Sequence, residues 1–292
     1  MKFHVRHLTR YQYSSAVSDG QSSTVLLPRT TPWQQVERSE LVITPSCRWM
    51  RERTDWFGNR RHDFAVESVH DYLEVLSESR VNVSAPMRSA LDHSPAWESA
   101  CVGDPLLMAY RLPSSLVPAC DAQMWSYAAT SLTPGRPILA AVMELTQRIY
   151  QDFAYTPGAT DIATPVRQVF QNRQGVCQDF AHVALTLLRG HGLACRYVSG
   201  YLETQPPPGQ PRLIGADASH AWIAVQVPGM GWVDFDPTNN QMPTDRHITI
   251  AWGRDYSDVV PVKGFTSGGG SQSLSVSVDV RAVEDAMGSG LV

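Results

Sequence analysis

The chain has 292 residues, 43% of them apolar and 18% charged, with a formal net charge of −4. That length and composition fit one or two globular domains with a sizeable core and exclude disorder along the whole chain. The acidic balance, with no basic stripe, excludes a dedicated nucleic-acid binder.

The first residues, Met1-Lys2-Phe3-His4-Val5-Arg6-His7, are polar where a secretory signal needs an apolar stretch. Residues 1–85 read as an antiparallel β domain. Residues 3–8 alternate apolar and polar, residues 40–44 do so in part, and patches such as Val81-Asn82-Val83 continue the pattern. Trp56-Phe57-Gly58-Asn59-Arg60 reads as a hairpin connection, because Gly-Asn tolerates positive φ. Residues 86–135 are punctuated by Pro86, Pro95, Pro105, Pro113, Pro118 and Pro134. They read as a surface connector with short helical patches.

From Pro137 the pattern turns helical, with Ile138, Val142, Leu145, Ile149 and Phe153 on one stripe. Thr164-Pro165 predicts a helix start and Gly175 its stop. A second helix is predicted from Cys177 to Arg189, ending at Gly190 or Gly192, with Ala181, Ala184, Leu185 and Leu188 buried. Strands follow over 195–202, 220–227 and 231–237, the last two forming a hairpin around Pro228-Gly229. Residues 204–218, with Pro206-Pro207-Pro208-Gly209, read as a mobile loop. A Gly/Ser loop over 267–271 precedes an alternating strand over 274–280. Residues 136–292 therefore form a second domain, and the fold class is α+β. No segment approaches the roughly 20 apolar residues that span a bilayer, and no repeat recurs. Together these point to a soluble cytoplasmic protein without membrane association.

Five cysteines, Cys47, Cys101, Cys120, Cys177 and Cys195, are scattered without a CxxC pair, so neither a disulfide framework nor a cysteine zinc site is expected. Cys177 stands apart. It opens an apolar-striped helix, where free N–H groups and the positive dipole end favour a thiolate. Such a nucleophile needs a base, and the base needs an orienting group. His220 lies eight residues before Pro228 and Asp236 eight after it. A hairpin symmetric about Pro228 sets them side by side on one face, with Trp222 and Trp232 on the same face as an apolar wall. Asp234 is a competing carboxylate on that face. Asp179 reads as a helix-end stabiliser and His182 as a structural residue without the partners a metal site needs.

Gly175-Val176-Cys177-Gln178-Asp179-Phe180-Ala181-His182 resembles the nucleophile motif of the transglutaminase-like superfamily, enzymes of papain-like fold. Ser219-His220-Ala221-Trp222 and Gly231-Trp232-Val233-Asp234-Phe235-Asp236-Pro237-Thr238-Asn239 resemble its second and third motifs, in order. Tyr197-Val198-Ser199-Gly200-Tyr201 and residues 253–259 are similar to a bacterial cysteine-protease branch in which a β region precedes the core. The resemblance implies Cys177 as nucleophile, His220 as general base and Asp236 as orienting carboxylate. It implies acyl transfer from amide bonds of peptides or proteins, to water as a peptidase or amidase, or to an amine as a transglutaminase. A non-catalytic peptide-binding module on the same scaffold is the alternative. No cofactor, metal or calcium is expected. The backbone N–H of Cys177 is a natural oxyanion donor. Gln171, Gln174, Gln178, Trp222, Trp232, Arg254 and Tyr256 are candidates for the oxyanion site or substrate cleft, with an ordinary ion pair an equal reading of Arg254.

Overall fold

A computed structural model describes residues 1–86, 90–101, 104–203 and 219–283. The proposed mobile loop over 204–218 thus lies outside the described residues. Five strands open the chain: β1 (Lys2–Thr24), β2 (Gln34–Thr44), β3 (Trp49–Thr54), β4 (Arg60–Val66) and β5 (His70–Val83). They order β2-β5-β1-β4-β3, all antiparallel neighbours. Alternation puts Phe3, Val5, Val81 and Val83 on the inward face, each at most 2% exposed. The β3–β4 connection turns as its sequence suggests: Gly58 has φ +77°, and the Asp55 carboxylate accepts the N–H groups of Phe57 and Asn59 at 2.9 Å.

The helices are α1 (Ala122–Ala129), α2 (Ile138–Asp152), α3 (Val166–Asn172) and α4 (Cys177–Gly190). A short parallel pair, β6 (Ala154–Tyr155) and β7 (Gln174–Gly175), ties the loop after α2 to the approach to α4. The α2 stripe is buried from Ile138 to Phe153. Two expectations fail here. Gly175 does not stop α3; Arg173 does, in the left-handed region at φ 55°. And α1 is no surface connector, because Met124 and Ala128 join the main core and the helix packs on α4.

The core sheet comprises β8 (Cys195–Leu202), β9 (Ser219–Val227), β10 (Gly231–Phe235) and β11 (His247–Gly253), ordered β10-β9-β8-β11. Helix α4 covers one face, against Ala221, Ile223 and Val225. Trp222, Ala224 and Val198 point to the other. The strand β11 alternates, with Ile248, Ile250 and Trp252 at every second position, but the run is short and sequence reading misses it.

The chain ends in β12 (Val262–Gly268) and β13 (Gln272–Ala282). The alternating tail strand was expected in the second domain, 136–292. It pairs instead with β1, where Val5 faces Val280 and His7 faces Val278. The first sheet therefore has seven strands and contains both ends of the described chain. Alternation specifies a strand but not its neighbour, which is why this partnership was illegible.

The first sheet also protects the outer edge of β11. The Gln34 side-chain amide accepts the Thr249 N–H at 2.8 Å and donates to the Thr249 carbonyl at 2.7 Å. Asn59 does the same for Trp252, at 3.0 and 2.8 Å. Each amide stands in for one residue of a missing strand. Gln34→Ala should lower stability by about 1–3 kcal/mol, since it leaves a buried N–H and C=O unpaired. Chemical denaturation of the variant checks this, and a change below about 0.5 kcal/mol contradicts the reading.

Candidate active site

Helix α4 starts at Cys177, and its entry is held from both sides. The Asp179 carboxylate turns back to accept the Val176 N–H at 2.8 Å and the Thr160 hydroxyl at 2.6 Å. A Cβ on Gly175 would meet that carboxylate at 2.7 Å, so only glycine fits before the turn. Asp179 thus serves the helix end, as its position suggested. The β6–β7 register sets Tyr155 opposite Gly175 and on the wall beside Cys177.

Cys177, His220 and Asp236 converge at the end of the core sheet rather than across its face. A cleft of about 270 Å³ there is lined by Cys177, Tyr155, the end of β8 at Leu202, the start of β9 at Ser219 and His220, and Thr238 and Asn239 beyond β10. Cys177 and His220 line this cleft together, and the sulfur is among the influences that raise the His220 ring. On the far side His220 Nε2 donates to Asp236 Oδ2 at 2.8 Å. Nε2 therefore carries a proton, and Nδ1 is the nitrogen left for the sulfur.

The hairpin reaches this geometry by another register than the one expected. Phe235 pairs with Ile223 and Gly231 with Val227, so the axis lies at Gly229 rather than Pro228. Gly229 and Gly231 both have positive φ, which lengthens the turn. The correction slips the pairing by two residues, which preserves the face. Asp236 sits just past the end of β10, in a bridge with Gln241, and reaches His220 as a diagonal neighbour.

Asp236 is fully buried, with five N–H donors around it. Oδ2 accepts from His220, from Asn239 Nδ2 at 2.7 Å and from His247 Nε2 at 3.2 Å. Oδ1 accepts the backbone N–H groups of Thr238 and Asn239 at 3.0 and 3.2 Å. Burial alone would push this carboxyl up. The hydrogen bonds from His220, His247 and Asn239 outweigh burial and hold it well below the usual carboxylate range. Burial likewise pulls on His220 in the direction of the neutral ring. The bond to Asp236 and the neighbouring Cys177 sulfur win, and raise it to about 10.

The competing carboxylate is settled by the same geometry. Asp234 Oδ2 accepts the Trp222 indole N–H at 3.1 Å and does not touch His220, and burial pushes its carboxyl up. Trp222 lies 6.0 Å from the His220 ring, fully buried, and supplies the expected wall. Trp232 does not, because it packs on Tyr110 at 5.0 Å and under Arg196 at 4.4 Å, near the turn of the hairpin.

The remaining candidates lie elsewhere. Gln171 is exposed on α3, Gln174 sits in β7, and Gln178 is half-buried in the first turn of α4. None of the three lines the cleft. Arg254 makes two 2.9 Å bonds to the Asp258 carboxylate, the ordinary ion pair. Tyr256 packs on Tyr197 at 6.2 Å, and its N–H donates to His182 Nε2 at 3.2 Å. His182 is thus structural; burial pushes it down to about 4.

Sequence reasoning missed Tyr155, Asn239 and His247. Asn239 was in view within the Asp-Pro-Thr-Asn run, where a polar residue three after an aspartate is a turn signal. His247 carried no signal, since the loop that brings it back has no periodicity. His220, Asp236 and His247 hold three donor atoms within 4.8 Å of one another, a spacing that also suits a metal ion. But His247 Nδ1 accepts the Thr244 N–H at 3.1 Å, so the proton sits on Nε2, the atom a metal would need. The cluster fits a hydrogen-bond network, not an ion.

The profile of the bacterial transglutaminase-like N-terminal region matches residues 3–82, and that of the transglutaminase-like superfamily matches residues 126–237. An uncharacterised protein of Mycobacterium tuberculosis is 41% identical over 97% of this chain and 93% of its own length. One of Mycobacterium leprae is 31% identical over 96% and 98%. A protein-glutamine gamma-glutamyltransferase of Pseudomonas aeruginosa is 34% identical over 108 residues, 36% of this chain and 16% of that protein. A crystal structure from Cytophaga hutchinsonii, solved as a candidate cysteine protease, shares the fold with a TM-score of 0.75 at 21% identity, over 98% of this chain and 92% of that one. With a β region, a cysteine-headed helix and a four-stranded sheet in the family's order, the chain belongs to the transglutaminase-like superfamily.

Proposed function

We propose that this protein is a thiol-dependent acyl-transfer enzyme acting on amide bonds of peptides or proteins, in its main reaction a cysteine peptidase or amidase. One observation carries the reading: a cysteine at a helix start shares an open cleft with a histidine, and a buried carboxylate behind the cleft holds that histidine's Nε2. His220, raised to about 10, holds a proton on Nδ1 at neutral pH; in the reactive ion pair this is the proton Cys177 has given up, and the sulfur attacks the amide carbonyl carbon. The developing oxyanion faces the Cys177 N–H, which has no partner within the helix. Protonated His220 then gives its proton to the leaving amine, and a thioester remains. Water, activated by His220, releases the acid. Asp236 keeps the ring in the tautomer that both proton transfers need.

Similarity of the core to a protein-glutamine gamma-glutamyltransferase favours a second reading, in which an amine replaces water. Peptide-library profiling with and without a primary amine separates the two by product mass. The primary test is thiol reactivity. At pH 6, iodoacetamide should modify Cys177 at least about tenfold faster than the half-buried Cys101 and Cys120. Burial pushes both of those thiols up, Cys120 to about 11. Equal labelling of the three, read by peptide mass spectrometry, removes the basis for the mechanism.

A further inference from the structure

We infer that His247 is a positioning residue of the proposed reaction, a second histidine that locks Asp236 in the rotamer aimed at His220. The inference rests on the cysteine–histidine–aspartate reading and extends it to a fourth side chain. His247 opens β11, on the strand farthest from β10 in the core sheet, and is 2% exposed. Its two ring nitrogens have opposite duties. Nδ1 accepts the backbone N–H of Thr244 at 3.1 Å, and Nε2 lies 3.2 Å from Asp236 Oδ2. A backbone N–H can only donate, so the ring is an Nε2–H tautomer whose one proton points at the carboxylate. The indole of Trp222 packs edge-on against the ring at 5.4 Å and removes its remaining freedom.

Asp236 is the last residue before the chain leaves the sheet, with Pro237 following, so strand pairing alone does not fix its side chain. Thr238 and Asn239 bind it from its own turn and move with it. His247 binds it from β11, an element anchored independently by Gln34. Of the described side chains bonded to Asp236, His247 alone comes from outside the hairpin and its following turn. Without it, Asp236 can swing with its turn and release His220 Nε2, and the imidazole loses its orientation toward Cys177. The charged and titratable groups facing His247 are Asp236, His220 across the carboxylate at a ring separation of 6.1 Å, and Asp234 beneath Trp222.

The test compares wild type, His247→Gln and His247→Leu in the full chain, reading the second-order rate of Cys177 alkylation by iodoacetamide from pH 5 to 9. Glutamine places an N–H near the Nε2 position, and leucine fills the space without a donor. His247→Leu should lose about tenfold or more at pH 7, and His247→Gln should stay within about threefold of wild type. A leucine variant at the wild-type rate, or glutamine and leucine variants equally slow, overturns the inference. Should the leucine variant not fold, nitrogen-15 NMR of the wild-type imidazoles decides: His247 protonated on Nε2 from pH 6 to 8 supports the inference, and protonation on Nδ1 overturns it. An unactivated Cys177 in the wild type would instead defeat the underlying mechanism, so the two failures are distinguishable.

Discussion

His220→Ala should slow alkylation of Cys177 at neutral pH by roughly a hundredfold or more, the usual contribution of a positioned acid–base group. The effect is large because His220 is the one imidazole among the described residues that line the cleft with Cys177. The nearby phenols of Tyr155 and Tyr197 are both pushed up by burial, and so are poorer proton acceptors at neutral pH than an imidazole. The alanine variant should also be less stable, because Asp236 remains buried with one donor fewer. Rate and stability must therefore be measured together. A loss below about tenfold in a variant with native-like unfolding would demote His220 to a structural role.

Asp236→Asn tests the other half of the relay and predicts a pH dependence. In the wild type the bond to Asp236 is the foremost influence raising His220 to about 10 against burial. Remove the charge, and burial prevails. The NMR titration midpoint of the His220 ring should fall by about two units or more, and Cys177 alkylation at pH 7 by about a hundredfold. The consequence for stability has a definite sign. His220 is raised from an unfolded value near 6.5, so its contribution is complete below about pH 6.5 and disappears as pH climbs to about 10. Asp236 is depressed, so its contribution is complete above about pH 4 and disappears only in acid, below the unfolded value. Between pH 6.5 and 10, then, the wild type should lose more stability than the asparagine variant. Thermal unfolding of both across that range checks it, and parallel curves would mean that the pair is not coupled as the geometry requires.

How much of this was legible beforehand differs from element to element. Cys177 was readable because a helix announces itself by its stripe and a cysteine at its first turn has one chemical meaning worth testing. His220 and Asp236 were readable as a pair because period-two alternation conserves the face even when register slips. The centre of the hairpin was misjudged by one residue, which displaced the pairing by two and left both side chains where the chemistry needs them. Face is a parity, and parity survives such an error. Trp232 misled for the converse reason, and of the two readings of Arg254 the structure chose the ion pair: a residue type suited to a cleft carries no information about where its chain segment lies.

Taken alone, the sequence determined the classes of most elements, the helix that presents the sulfur, and the alternation that puts His220, Asp234 and Asp236 on one strand face. Local rules suffice for these, since they depend on neighbours within about ten residues. Tertiary structure decided what is non-local. It sent the last strand to the first sheet, capped β11 with the amides of Gln34 and Asn59, chose Asp236 over Asp234, and brought His247 to the carboxylate. In each case the deciding interaction joins backbone or side-chain groups that lie far apart along the chain or across an aperiodic loop, and its existence depends on burial, where an unpaired polar group is costly and a partner must be found wherever the fold supplies one.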